Sequence, residues 1–212
     1  MPQNQLKIHT YELSGHCHRV NLFLSLLGIP CTHINVDLPS GENKGADFLK
    51  LNNYGQVPVL EDGKTIVSDS NAILIYLALK YDPKRKWYPS DLITIANIQR
   101  WLSIASGPLA FGIANMRAGN IFNRAIDPRA PEISANLLNV MNQELSGKQY
   151  ICSNFSPTIA DISLYTYVAH SPEGGIYLKS YPHVSNWISR IESLNGFIGM
   201  KKSPAPINTL LP

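Results

Sequence analysis

At 212 residues the chain has room for one large domain or two small ones, and for a core that needs neither disulfides nor metals. Charged residues make up 16% and apolar residues 44%, a balance that excludes a disordered chain. The net charge of +3 is too small to imply a nucleic-acid partner, and no run approaches the ~18 uninterrupted apolar residues that suggest a membrane span.

Leu6, Ile8 and Thr10 alternate with Lys7 and His9, which predicts a strand. After Gly15 the period changes. Val20, Phe23, Leu24 and Leu27 recur at helical spacing, with Gly28 as the C-terminal stop and Pro30 beyond it. Ile34 and Val36 mark a second strand, so strand, helix and strand suggest a crossover with a parallel pair. "PSGENKG" reads as a polar loop and "ADFLKL" as a short helix. Two β-rich runs flank Asp62-Gly63, the dipeptide of a tight hairpin. Ser68, Asp69 and Ser70 are each available to cap a helix in which Ile73, Tyr76, Leu77 and Lys80 recur.

"YDPKRKWYPSD" then interrupts the pattern with two prolines and the run Lys84, Arg85, Lys86. That run reads as a solvated linker, with an anion contact as the alternative. Four helical stretches follow, at 92–119, 130–147, 156–170 and 183–196, before a Pro-rich tail. In the third, Ser156 or Thr158 caps, and Asp161 stands three residues after Thr158 in a capping-box arrangement. The expected fold class is α/β plus all-α. An α/β domain spans 1–81, a linker 82–90, and an all-helical domain 91–212.

Cys17, Cys31 and Cys152 contain no C-x-x-C pair and the N-terminus has no apolar leader, so a reducing, cytoplasmic setting is expected. The sequon at Asn154 has no role in such a compartment. "GKT" at Gly63–Thr65 lacks the glycine a phosphate loop needs, since Pro58 stands in its place. No dinucleotide fingerprint or nucleophile-elbow motif occurs. His16, Cys17 and His18 are adjacent, and neighbours on one helical turn do not converge on a tetrahedral metal, so no metal is expected.

Two stretches carry binding chemistry. Val57-Pro58 opens a strand, and a cis bond there would turn the Val57 backbone outward to pair with an extended ligand. Asp69-Ser70 at a helix start offers a carboxylate to an ammonium, and a hydroxyl with helix N–H groups to a carboxylate. An ordinary edge strand and an ordinary cap fit the same residues.

Taken in order, Ser14…Cys17-x-Arg19-Val20, "VDLPSGENK", "NNYGQVPVLED", "SDSNAILIYL" and "PTIADISLY" cover nearly the whole chain. This series resembles the cytosolic glutathione transferase family, most of all its serine-type, bacterial theta/phi/delta-like members. The resemblance implies a thioredoxin-like domain followed by a helical domain that lines a second-substrate site. It also implies a homodimer, glutathione as co-substrate, a small hydrophobic electrophile as the other substrate, and a detoxifying role.

Matched position by position, Ser14 is the activating serine, whose hydroxyl would hydrogen bond the glutathione sulfur. Gln56, Val57 and Pro58 match the strip for the cysteinyl and glycyl parts, Lys44 a basic residue near the glycine carboxylate, and Asp69 with Ser70 the pair at the γ-glutamyl end. Asp69 stands where the family often has glutamate, Asn43 where histidine is common, and Asn53 where proline is frequent. Tyr11 rivals Ser14 as the thiolate donor, or forms a wall of the second-substrate pocket. His16, Trp101 and Arg117 are further candidates for that pocket, with core packing the alternative for Trp101 and solvation or capping for His16. Arg19 is expected to be structural. Two other functions stay open: a glutathione-dependent thiol/disulfide reductase or peroxidase using Cys17, and a non-catalytic glutathione-binding regulator.

Overall fold

The computed structural model describes residues 6–203; the expected Pro-rich tail, which starts at Pro204, lies outside them. The chain divides into two compact units, one of residues 6–85 with 195–201, the other of 86–194 with 202–203.

In the first unit β1 (Leu6–Thr10) lies between two partners. It runs parallel to β2 (Cys31–Asn35), with Leu6 opposite Cys31, and antiparallel to β3 (Val59–Asp62), with Ile8 opposite Leu60. β3 in turn pairs antiparallel with β4 (Thr65–Ser68), giving the order β2-β1-β3-β4. The parallel pair follows from the helical crossover α1 (Gly15–Leu26) between β1 and β2.

His9 departs from the expected alternation. It is buried, bonds Glu61 through Nε2 at 2.7 Å, and sets its ring edge-on to Phe48. A central strand is covered on both faces, so period-2 polarity does not hold along it. The hairpin also differs by one step. Asp62 is the last ladder residue, opposite Thr65, and the two-residue turn is Gly63-Lys64. Gly63 takes φ 63° there, the first position of a type II′ turn.

α1 buries Val20, Leu22, Phe23 and Leu24, and stops at Gly28, whose φ of 65° suits a residue without Cβ. A short 3-10 turn at Glu42–Lys44 interrupts the polar loop before α2 (Ala46–Leu51). α3 (Ser70–Tyr81) buries Ile73, Leu74, Leu77 and Ala78.

The second unit is helical: α4 (Leu92–Ser106), α5 (Asn115–Phe122), α6 (Ala130–Glu144), α7 (Ile159–Ala169) and α8 (Pro182–Glu192). The single helix expected over 92–119 is broken. α4 ends at Gly107, a π-helical turn spans Ala110–Ala114, and α5 follows. Pro108 disfavours helical geometry at the residue before it, which accounts for the break. Of the two caps offered for α7, Thr158 is used, and both halves of its capping box with Asp161 form.

Among the described residues the expected helical domain from 91 onward is interrupted. Residues 195–201 belong with the first unit, held by the His18 ring on the Ile198 carbonyl (3.0 Å), Ser25 Oγ donating to the Gly196 carbonyl (2.7 Å), and Lys201 on Glu12 (3.1 Å).

Candidate active site

Ser14 is the N-cap of α1, with extended backbone (φ −83°, ψ 116°) and a side-chain oxygen that accepts from the Cys17 amide at 3.3 Å. The Ser14 amide donates to the Tyr11 carbonyl at 3.0 Å, which closes a turn between β1 and α1 and leaves both residues partly exposed. Ser14 therefore holds a hydroxyl at the positive end of a 12-residue helix, where a developing anion is favoured.

Cys17, by contrast, is wholly buried. Burial pushes its thiol pKa up, against opposing hydrogen bonds from Ser14, Tyr11 and Thr10. Its sulfur accepts from the Tyr11 amide at 3.4 Å, but burial outweighs that contact and keeps the thiol a protonated packing group. A thiol/disulfide reaction through Cys17 has no support in this geometry.

At the head of α3, Asp69 adopts φ 74°, an uncommon conformation for a residue with a side chain. Its Oδ1 caps the helix by accepting from the amides of Asn71 and Ala72, both at 2.9 Å. The side chain is exposed, and Oδ2 meets no partner among the described residues. Ser70 is 3% exposed. Its Oγ accepts from Arg19 Nη1 at 2.7 Å and lies 3.3 Å from His16 Nδ1, while the same guanidinium nitrogen donates to Asn71 Oδ1 at 3.0 Å. The starts of α1 and α3 are thus tied together through polar groups. Burial, with the Arg19 charge beside it, lowers the His16 imidazole to about 3, so the ring is neutral at pH 7.

Gln56, Val57 and Pro58 lead into β3, and the Val57–Pro58 bond is cis. The Gln56 carbonyl accepts from Asn52 Nδ2 at 2.8 Å, whereas the Val57 backbone pairs with no described residue. Next to this strip Asn43 Nδ2 donates to the Gly55 carbonyl at 2.6 Å, and Lys44 Nζ reaches the carbonyls of Tyr54 and Gly55 at 3.3 and 3.4 Å. Gly55 is obligatory here: at φ 60° a Cβ would lie 2.7 Å from the Asn43 carbonyl and 2.9 Å from Lys44 Nζ.

The structure therefore gathers Ser14, His16, Asp69 and Ser70 around two helix starts, and Lys44 beside Gln56–Pro58. Trp101 and Arg117 are placed differently. Trp101 is fully buried in the helical unit, and Arg117, 2% exposed, donates from Nε to Glu173 Oε2 at 2.6 Å. The interior position of Trp101 matches its core alternative, and Arg117 is held in an ion pair. Sequence reasoning missed Arg19 as a partner of Ser70. No local signal gave it away, because Ser70 lies on a different helix, 51 residues further along the chain. It also missed the Asn43–Gly55 clamp, which no local pattern announces. Among the described residues no group of His, Cys, Asp and Glu converges as a metal site, and no helix is long and apolar enough to cross a membrane.

The fold and site define a class: a thioredoxin-like unit with a capping serine at its first helix and a cis-proline before its third strand, joined to a helical unit. Comparison with known proteins narrows this. Residues 13–80 match the family model described as "Glutathione S-transferase, N-terminal domain", and residues 123–195 that of "Glutathione S-transferase, C-terminal domain". Glutathione S-transferase 2 of Anopheles gambiae is 31% identical across 82% of this chain and 84% of its own length. Glutathione S-transferase theta-1 of Bos taurus is 28% identical across 90% of this chain and 84% of its own. Among solved structures, a glutathione S-transferase from Pseudomonas fluorescens superposes with a TM-score of 0.85 at 29% identity, covering 93% of this chain and 99% of that one. A glutathione transferase homologue from Drosophila mojavensis with bound glutathione gives 0.82 at 26% identity, covering 90% and 88%. The chain belongs to the glutathione S-transferase family.

Proposed function

We propose that the protein is a serine-type glutathione transferase, in which Ser14 stabilises the glutathione thiolate for attack on a small hydrophobic electrophile. The observation that carries this reading is the place of Ser14 as the cap of α1, in the same unit as an unpaired strip at Val57 and an exposed carboxylate at Asp69.

Glutathione lies along these residues with its cysteinyl backbone paired to Val57, as an added strand pairs with a sheet edge. Asp69 takes the γ-glutamyl ammonium through Oδ2. The Ser70 hydroxyl and the N–H groups at the start of α3 take the adjoining carboxylate. Gln56 flanks the cysteinyl–glycyl segment, Pro58 fixes the backbone there, and Lys44 faces the glycine carboxylate. The thiol proton leaves to solvent, and the thiolate forms a new C–S bond by displacing a leaving group or by adding to an activated double bond.

Magnitudes agree with the assignment. Lowering a thiol pKa from about 8.5 by two units needs ~2.7 kcal/mol of preferential thiolate stabilisation. A hydroxyl hydrogen bond to a charged acceptor supplies about 1.5–3 kcal/mol, and a helix start adds about 0.3–1. Tyr11, partly exposed beside Ser14, is assigned to the wall around the sulfur, and His16 to the second turn of contacts at the α3 head.

The large apolar side chains Ile66 and Leu79, exposed on β4 and α3, support assembly as a homodimer. Three unpaired cysteines support a reducing, cytoplasmic location.

The test is Ser14→Ala. Glutathione should still bind by calorimetry, while the pKa of the bound thiol, read from thiolate absorbance, rises toward the free value. Turnover with a chlorodinitrobenzene-type electrophile should fall roughly 10–100-fold, the equivalent of one charge-assisted hydrogen bond. Unchanged turnover would move the role to Tyr11.

A further inference from the structure

Ser70 Oγ is contacted from two sides, by a guanidinium and by an imidazole nitrogen. A hydroxyl has one proton and two acceptor sites, and a guanidinium can only donate, so Arg19 occupies one acceptor site. The His16 contact then has two forms. Ser70 can give its proton to His16 Nδ1. Alternatively the ring carries its proton on Nδ1 and donates it to Oγ, which fills both acceptor sites and leaves the serine proton for a third group.

We propose that His16 is a positioning residue for the amino-acid head of glutathione: with Arg19 it saturates the acceptor sites of Ser70, so that the serine proton is presented to the γ-glutamyl carboxylate. The proposal rests on the reading of Asp69 and Ser70 given above. A carboxylate at the head of α3 selects the second form, because a hydrogen bond to a charged acceptor is roughly twice as strong as one to a neutral nitrogen. The change is an exchange of tautomers within a neutral ring. His16 is held neutral, since burial and the Arg19 charge both oppose its protonation. Arg19 is kept in register by its second acceptor, Asn71 Oδ1 at 3.0 Å. Ser14 and His16 flank Gly15, so the residue that polarises the amino-acid end adjoins the one that stabilises the sulfur.

The experiment measures calorimetric binding of glutathione and of an analogue whose γ-glutamyl carboxylate is amidated. His16→Leu should weaken glutathione about tenfold and the amidated analogue less than about twofold, with the change in KM for glutathione rather than in kcat. His16→Asn, whose amide N–H replaces Nδ1–H, should restore glutathione binding to within about twofold of wild type. If His16→Leu does not fold, His16→Asp replaces it, and this acceptor-only side chain should bind glutathione more weakly than His16→Asn does. Equal losses for both ligands, failure of asparagine to rescue, or a loss confined to kcat overturns the proposal. A wild-type protein that binds no glutathione refutes the functional reading itself, whatever the variants do.

Discussion

α3 begins with Asp69 as its cap, and α7 with Thr158 and Asp161. Both helices use an aspartate to satisfy amides that have no partner within the helix. At α7 every acceptor is taken. Asp161 Oδ1 accepts from the Ile151 amide at 2.8 Å and Trp187 Nε1 at 2.9 Å, while Oδ2 accepts from the Thr158 amide at 2.8 Å and the Thr158 hydroxyl at 3.2 Å. The carboxyl is wholly buried. At α3 one oxygen serves two amides, the other faces outward, and the backbone adopts a conformation that costs energy. One helix start closes on itself and anchors a fold; the other is left incomplete, and a ligand can complete it.

This contrast breaks first at Asp161. Asp161→Ala strands four buried donors and should cost about 3–4 kcal/mol, seen as a lowered denaturant midpoint, with glutathione affinity unchanged below the new transition. Asp69→Ala should do the reverse. Glutathione binding weakens roughly 10–50-fold by calorimetry for the lost ion contact, and stability falls by only about 1 kcal/mol for the lost cap.

Glu173 gives a pH arm to the comparison. Burial alone would raise its carboxyl, but His170, the Arg117 charge and the Ser203 amide outweigh burial and hold it below the usual glutamate value. A depressed folded-state pKa contributes stability that is fully present above the unfolded value of about 4.3 and is lost as pH falls through the folded one. Urea midpoints should therefore drop more steeply between pH 5 and pH 3 in wild type than in Glu173→Gln, by way of about one proton. The smallest effect is Asp69→Gly. It loses the carboxylate as alanine does, yet should be about 1 kcal/mol more stable than Asp69→Ala, because glycine adopts the positive φ at little steric cost.

The sequence made much of this readable, for reasons that differ by element. Crossover, hairpin and helices follow from periodicity, and Thr158 with Asp161 is a local pattern that needs no tertiary knowledge. The unpaired Val57 backbone is legible because Pro58 marks a strand that cannot be ordinary. Other features depend on distant partners. His9 is buried because β1 is central, which its own alternation does not reveal. The break at Gly107-Pro108 lay inside an apolar pattern strong enough to mask it. The burial of Trp101 and the pairing of Arg117 with Glu173 likewise depend on neighbours that residue type does not announce. Arg19 and Ser70 lie far apart in sequence, so neither position indicates that one sets the hydrogen-bonding of the other.

The return of residues 195–201 to the first unit makes that unit discontinuous in sequence. Cutting the chain in the basic run at 84–86 would not release an autonomous glutathione-binding module, because the fragment would lack the carbonyls of Gly196 and Ile198 that engage Ser25 and His18 of α1. A fragment, fusion or domain-exchange chimera that preserves Ser14 on a properly seated α1 must carry both pieces. The smallest transplantable form of this site is therefore defined by two chain segments rather than by one boundary.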